Sequence, residues 1–499
     1  MHKRYASVFV AALAVSSLAL GSTAWGSSST IGSLEQVSGT SPFADCTADN
    51  VAAQPGTVYP NSEVEPWIAA SGTDRNGDGE KDIIGGYQQD RWSNGGSRGV
   101  YASVRYKGAW VQVAVPGTSV CVGGNHLRAT DPWVTFSPDG SAYFFTLATS
   151  AGNDSALLVN KSTDGGLHWS APIKLIEEDS TFNFNDKNSI TADPFDSRYV
   201  YAIWDRSNFP SDKRELHSIE GFPRSIRSDA MFSRTTDGGV TWEKPRAIFA
   251  PRANEFGIGH QIVVLSDGTL LDSFMLFHGS GSNKKGQEVA VMISKDHGAT
   301  WSKPITVAKA LPGFVADPDD GTPLRTGDII PEVASGPNRS AYLVWQEATL
   351  APSGSAIAFS KSHDGGLTWS AAKTLSVDKS GQPAPNDQFF AWVAAAPNGT
   401  FHVIWLDNRL DPGNKWIDTW QATSKNDGSS WKTFRISTES WNPDWGFFTS
   451  ASFIGDYSGL AAANDVVYPV WTDGRNTKFF ETGIGNTNIE TNVEIKDKD

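Results

Sequence analysis

Acidic and aromatic residues recur at the openings of strand-like runs along this chain. Glu63 and Glu65 precede Trp67, Asp131 precedes Trp133, and further openings read Asn185-Asp186-Lys187, His260-Gln261, Asp328 with Glu332, Asp387-Gln388 and Asp456-Tyr457. Carboxylates brought together must share protons or bind a hard cation such as calcium; on separate turns they are solvated surface acids. His260 is by type the best-placed general base, or else a histidine satisfied in the core. Arg91, Arg206, Arg409 and Arg475 each follow an aromatic and an acid. They are candidates to hold a substrate carboxylate, and their fixed place also suits structural pairs with the adjacent Asp. Trp67 and Trp133 are candidate substrate-binding aromatics. Separately, Asp74, Asn76, Asp78, Glu80 and Asp82 follow D-x-N-x-D-G-x-x-D. Oxygen donors at alternate positions around a glycine-permitted turn suit a structural calcium ion, although Gly85 stands where a full EF-hand has its bidentate Glu. The alternative is a charged hairpin turn.

The elements that must position these residues repeat. Ser162 to Trp169 fits S-x-D-x-G-x-x-W, and the pattern returns at Thr235 to Trp242, Ser294 to Trp301, Ser362 to Trp369 and Ser424 to Trp431, where Asn426 replaces the Asp. Asp folding back on backbone N–H groups, Gly supplying positive φ and Trp plugging the turn describe a β-hairpin. An apolar strand flanks each turn on either side, and two more strands precede it, the second ending in an aromatic followed by acid and arginine, as in Trp204-Asp205-Arg206. Units of four antiparallel strands begin near Glu65, Asp131, Lys187, His260, Asp328, Phe389 and Asp456. Such units repeated radially predict an all-β fold, a β-propeller of four-stranded antiparallel blades, with seven blades preferred over six. Inner strands then converge on one channel mouth.

Composition sets the outer limits. With 48 Gly, 26 Pro and 19 Trp, long helices are not expected to dominate, and a net charge of -14 disfavours a phosphate-backbone partner, so no nucleic acid is expected. His2, Lys3 and Arg4, the apolar run from Val8 to Leu20 and the small residues around Ala24-Trp25-Gly26 predict an export signal over residues 1–26. No later run is long and apolar enough to span a bilayer. The expected organisation is this signal, a Ser/Thr/Gly-rich lead-in over 27–60 and a propeller over 61–499, secreted or periplasmic and monomeric. Cys46 and Cys121 form a disulfide in an oxidising compartment, or stay as two buried thiols.

The Asp turns resemble the bacterial neuraminidase repeats, or Asp boxes, of the sialidase superfamily, from about Glu65 to Arg475. The resemblance implies a three-arginine carboxylate clamp, a Tyr nucleophile paired with Glu, and an Asp acid/base. Arg91 resembles the family's arginine at the end of the second strand. Asp456-Tyr457-Ser458-Gly459-Leu460 resembles the context of the nucleophile, so Tyr457 would attack the anomeric carbon while Asp456 draws off its proton. Two departures stand out. Val64-Glu65-Pro66-Trp67-Ile68 has no arginine where the family has Arg-Ile-Pro, and the loop from Trp92 to Ser97 offers only an amide where the family has its acid. The leading expectation is a sialidase-like hydrolase of acidic-sugar glycans using Arg91, Asp131, His260, Asp456 and Tyr457. The others are a polysaccharide lyase using His260 and Tyr457, and a propeller that binds glycan or protein without catalysis.

Overall fold

The computed structural model describes residues 29–497 apart from 31, 151–153, 210–226, 254, 280–284, 353, 446, 449–451, 464–465, 476–487 and 493–494. The expected export signal lies outside the described residues. Regular structure is β throughout, with only short 3-10 turns such as Val51–Ala53 and Val120–Val122 among the described residues. No described helix is long and apolar enough to cross a membrane.

Antiparallel four-stranded sets occupy residues 58–114, 128–179, 183–249, 255–310, 332–374 and 388–435. A further set draws on both chain ends: Gly459–Ala463, Val466–Asp473 and Asn488–Asn492 are followed by Leu34–Gln36 as the outer strand. The inner strands, from Val58–Ala70 round to Gly459–Ala463, pack in chain order, and the last meets the first. This is a β-propeller. Sheets stacked around an axis bury both faces, which is why second strands such as Ala142–Thr149 and Ala341–Glu347 are buried along their whole length.

The Asp turns explain the unit's outer half. In the second set the Ser162 hydroxyl accepts from the Gly166 N–H at 2.9 Å, and Asp164 Oδ1 accepts from the His168 N–H at 3.0 Å. The same bonds recur at Asp237, Asp296, Asp364 and Asn426. The closing Trp packs edge-on to a strand Phe, Trp169 on Phe144 at 5.5 Å and Trp301 on Phe232 at 5.7 Å. Because strands alternate in direction, these turns lie at the end opposite the mouth.

The lead-in straps the first set. Phe43 fills the space beside Gly99, and Cys46 is bonded to Cys121, 75 residues away. Arg98 pairs with Asp49 at 2.6 Å and donates to the Cys46 carbonyl oxygen.

Candidate active site

Five inner strands carry a β-bulge at the same level, shown by register shifts at Val64/Trp67, Thr130/Trp133, Asp186/Ser189, Ile258/Gln261 and Phe389/Trp392. Within these bulges Glu65, Asp131, Lys187, Gly259 and Phe390 adopt left-handed φ of 54°, 51°, 46°, 76° and 62°. A side chain in that region costs about 1–2 kcal/mol, and the bulge re-aims the residue. Two residues beyond three of these bulges stand the tryptophans of a floor, where Trp67 stacks on Trp133 at 3.6 Å and Trp392 meets Trp67 at 4.8 Å; Tyr457, from the approach to the last inner strand, joins them 5.6 Å from Trp133. The two candidate substrate-binding tryptophans are therefore buried against one another below the acids.

Above the floor, Gln88 is a hub. Its amide donates to Glu65 Oε2 and, at 2.8 Å, to Thr130 Oγ1, while its Oε1 accepts from Arg91 Nη1 at 2.9 Å. The Thr130 hydroxyl in turn donates a hydrogen bond to Asp131 Oδ1 at 2.7 Å. Burial, then Asp131 and Asp456, push the Glu65 carboxyl up to about 8. Burial and Asp131 push Asp186 up to about 7, and burial with Asp456 pushes Asp328 up to about 6. These carboxyls titrate near neutrality instead of being fixed anions.

Cations complete the mouth. A short parallel pairing of Leu324–Arg325 with Ser452–Phe453 brings Arg325 into an ion pair with Asp456. Gly327 is required here, since a Cβ on it would lie 2.1 Å from the Asp456 carbonyl oxygen. Arg325 and Arg91 both lie over the Phe453 ring, at 4.9 and 4.4 Å. Lys187 rests on the Tyr457 ring, 3.7 Å from its centroid.

The family model described as a BNR repeat-like domain matches residues 218–479. This chain belongs to that family. Among curated proteins none matches its sequence. Among solved structures, this BNR repeat-like protein is similar to a Hadza microbial sialidase at 14% identity, covering 83% of this chain and 74% of the other, with a TM-score of 0.46. It is also similar to a Dyadobacter fermentans protein of unknown function, at 14% identity over 74% and 94% with a TM-score of 0.47. An α-L-arabinofuranosidase from Fusarium graminearum aligns at 15% identity over 76% and 96%, with a TM-score of 0.42.

In this BNR repeat-like protein Arg91, Asp131, Asp456 and Tyr457 come together at the mouth. The Tyr457 hydroxyl, though, is buried and donates to the Pro132 carbonyl oxygen at 3.2 Å. His260 stands apart. Its ring is fully buried, stacked on Phe274 at 4.2 Å, with Nδ1 2.7 Å from Asp272 Oδ2 and Nε2 3.8 Å from Asp205. Arg206 pairs with Glu178 at 2.5 Å, and Arg409 and Arg475 pair with Asp407 and Asp473 at 2.6 Å. The same two Asp residues accept the indole N–H of Trp405 and Trp471, so the repeated aromatic-acid-arginine element caps its strand. In the loop between the first two strands, Asp74 accepts N–H bonds from Gly77 and Gly79, Asp78 from Glu80 and Lys107, and Asp82 from Arg75 and Asn76. Asn76 Oδ1 accepts from the Asp78 N–H, and Glu80 is exposed. Sequence reasoning missed Gln88, Thr130, Arg325 and Phe453. Arg325 and Phe453 lie in irregular segments outside the repeat, where no periodicity marks them.

Proposed function

We propose that the protein is an exported glycoside hydrolase acting on acidic-sugar glycans at the mouth of a seven-bladed propeller. One observation carries the reading: Arg91 and Arg325 share the Phe453 ring and lie in one electrostatic cluster with Glu65, Asp131 and Asp456. Guanidinium forks match a sugar carboxylate, and a carboxyl whose proton affinity burial raises suits acid work. Glu65, protonated at neutral pH, protonates the glycosidic oxygen, and Asp131 is the second carboxyl beside it. The seven-blade count rests on the succession of inner strands that returns to its start, and export is supported by the disulfide.

Release of N-acetylneuraminic acid from a fluorogenic sialoside, or of glucuronic acid from a fluorogenic glucuronide, is the test. Glu65→Gln is expected to lower kcat about 10²-fold or more, and Arg91→Met to raise KM. Absence of release from both at any pH overturns the hydrolase and leaves a glycan-binding propeller. The reading also includes a structural calcium ion held by Asp74, Asn76, Asp78, Glu80 and Asp82, whose hard oxygens fit that ion but would have to share it with their backbone partners. Chelator should then lower the melting temperature; an unchanged value removes the ion.

A further inference from the structure

Beneath the mouth, an amine and a carboxyl are buried without a protein hydrogen-bond partner. Both Glu332 carboxyl oxygens are unpartnered in a side chain from the inner strand Glu332–Ser335, the residue being 1% exposed. Lys187 Nζ is likewise unpartnered, in a residue 7% exposed on the inner strand Asn183–Ala192. The two interact electrostatically yet form no ion pair within 4.0 Å among the described residues. Both also face Tyr457, Lys187 through the ring and Glu332 through its charge. An amine and a carboxyl left buried and unsatisfied are unfavourable, so a group that bonds to both at once is favoured there.

We propose that Lys187 and Glu332 form a subsite for a neutral hydroxyl, which hydrogen-bonds to the Lys187 amine and to the Glu332 carboxyl at once. A hydroxyl both donates and accepts, so it meets either form of the Glu332 carboxyl, whose proton affinity burial raises. A ligand ammonium repels Lys187. The hydroxyl belongs to the sugar or to a water molecule. In the sugar case the inference rests on the glycan reading and deepens it: the carboxylate side of the sugar meets Arg91 and Arg325, and a neutral hydroxyl reaches Lys187 and Glu332.

Calorimetry with D-glucuronic acid and D-glucose separates the claims, using the full mature chain and Lys187→Met, Glu332→Gln, Arg91→Met and Arg325→Met variants whose melting curves show they are folded. A sugar hydroxyl at the subsite predicts affinities about tenfold or more weaker for both sugars in the Lys187 and Glu332 variants, while the arginine variants weaken only glucuronic acid. If the wild type binds neither sugar, the sugar case fails while the glycan reading stands or falls on the release assays, and a high-resolution crystal structure of the unliganded chain decides the subsite. One ordered water within hydrogen-bond distance of both Lys187 Nζ and Glu332, lost in Lys187→Met, establishes the water case. Lys187 and Glu332 in direct contact, or with no bridging atom between them, overturns the proposal whatever the arginine variants do.

Discussion

The Tyr457 hydroxyl is spent on the Pro132 carbonyl oxygen, and burial together with Glu65 and the neighbouring aspartates holds the phenol well above its usual range. A phenol attacks only once its proton is drawn off, and Asp456, the residue expected to take it, is instead paired with Arg325. The mouth carboxyls are thus better placed for chemistry than the tyrosine. Tyr457→Phe should cost about 1 kcal/mol of stability, the worth of one buried hydrogen bond, and leave turnover of the acidic-sugar substrate within about tenfold. A loss of about 10³-fold or more with the fold intact would return the nucleophile to Tyr457.

At the scale of elements, the strap and the bulges matter most. The lead-in touches the site through its own contacts: Ser41 Oγ donates to Asp90 Oδ2 at 2.6 Å, next to Arg91, and Gln54 Oε1 accepts from Arg128 at 2.7 Å. Cys46–Cys121 closes a long loop across this strap, and a cross-link of that span restricts the unfolded chain by about 4 kcal/mol. The Cys46→Ser/Cys121→Ser pair should lower the unfolding free energy by about that amount in denaturant melts. Hydrogen exchange should show residues 32–57 opening first. Unchanged protection there would mean that the Arg98–Asp49 pair and the packing of Phe43 hold the strap unaided.

For the whole molecule, the buried carboxyls set the pH response. Folded values of about 8 for Glu65, 7 for Asp186 and Asp205, and 6 for Asp328 stand above ordinary values of 4.5 for Glu and 3.8 for Asp. Between the ordinary and raised values the folded chain binds more protons than the unfolded one, so stability is full below about 4 and is lost as pH climbs towards 8. The melting temperature should fall from pH 5 to pH 8, and Glu65→Gln should flatten that fall by removing the widest titration window. A melting temperature that rises over this range would mean that the acids are solvated on separate turns.

The Asp turns could be read from single octets because their chemistry is local: a hydroxyl and a carboxylate bond amides within four residues, and glycine accepts the positive φ. Their spacing then gave the four-stranded unit, and the pairing of Cys46 with Cys121 followed the two-cysteine count. The same regularity misled about arginines. Arg409 and Arg475 recur in step because each caps its own strand, whereas Arg325 reaches the mouth from outside the repeat by pairing with a segment near Asp456, 131 residues onward. Octets and strand periods are fixed by neighbours in sequence. Which acids lose their water, which cations face them, and that His260 turns into the interior while Lys187 turns to the axis depend on bulges and loop contacts between distant strands, and only the closed ring decides those.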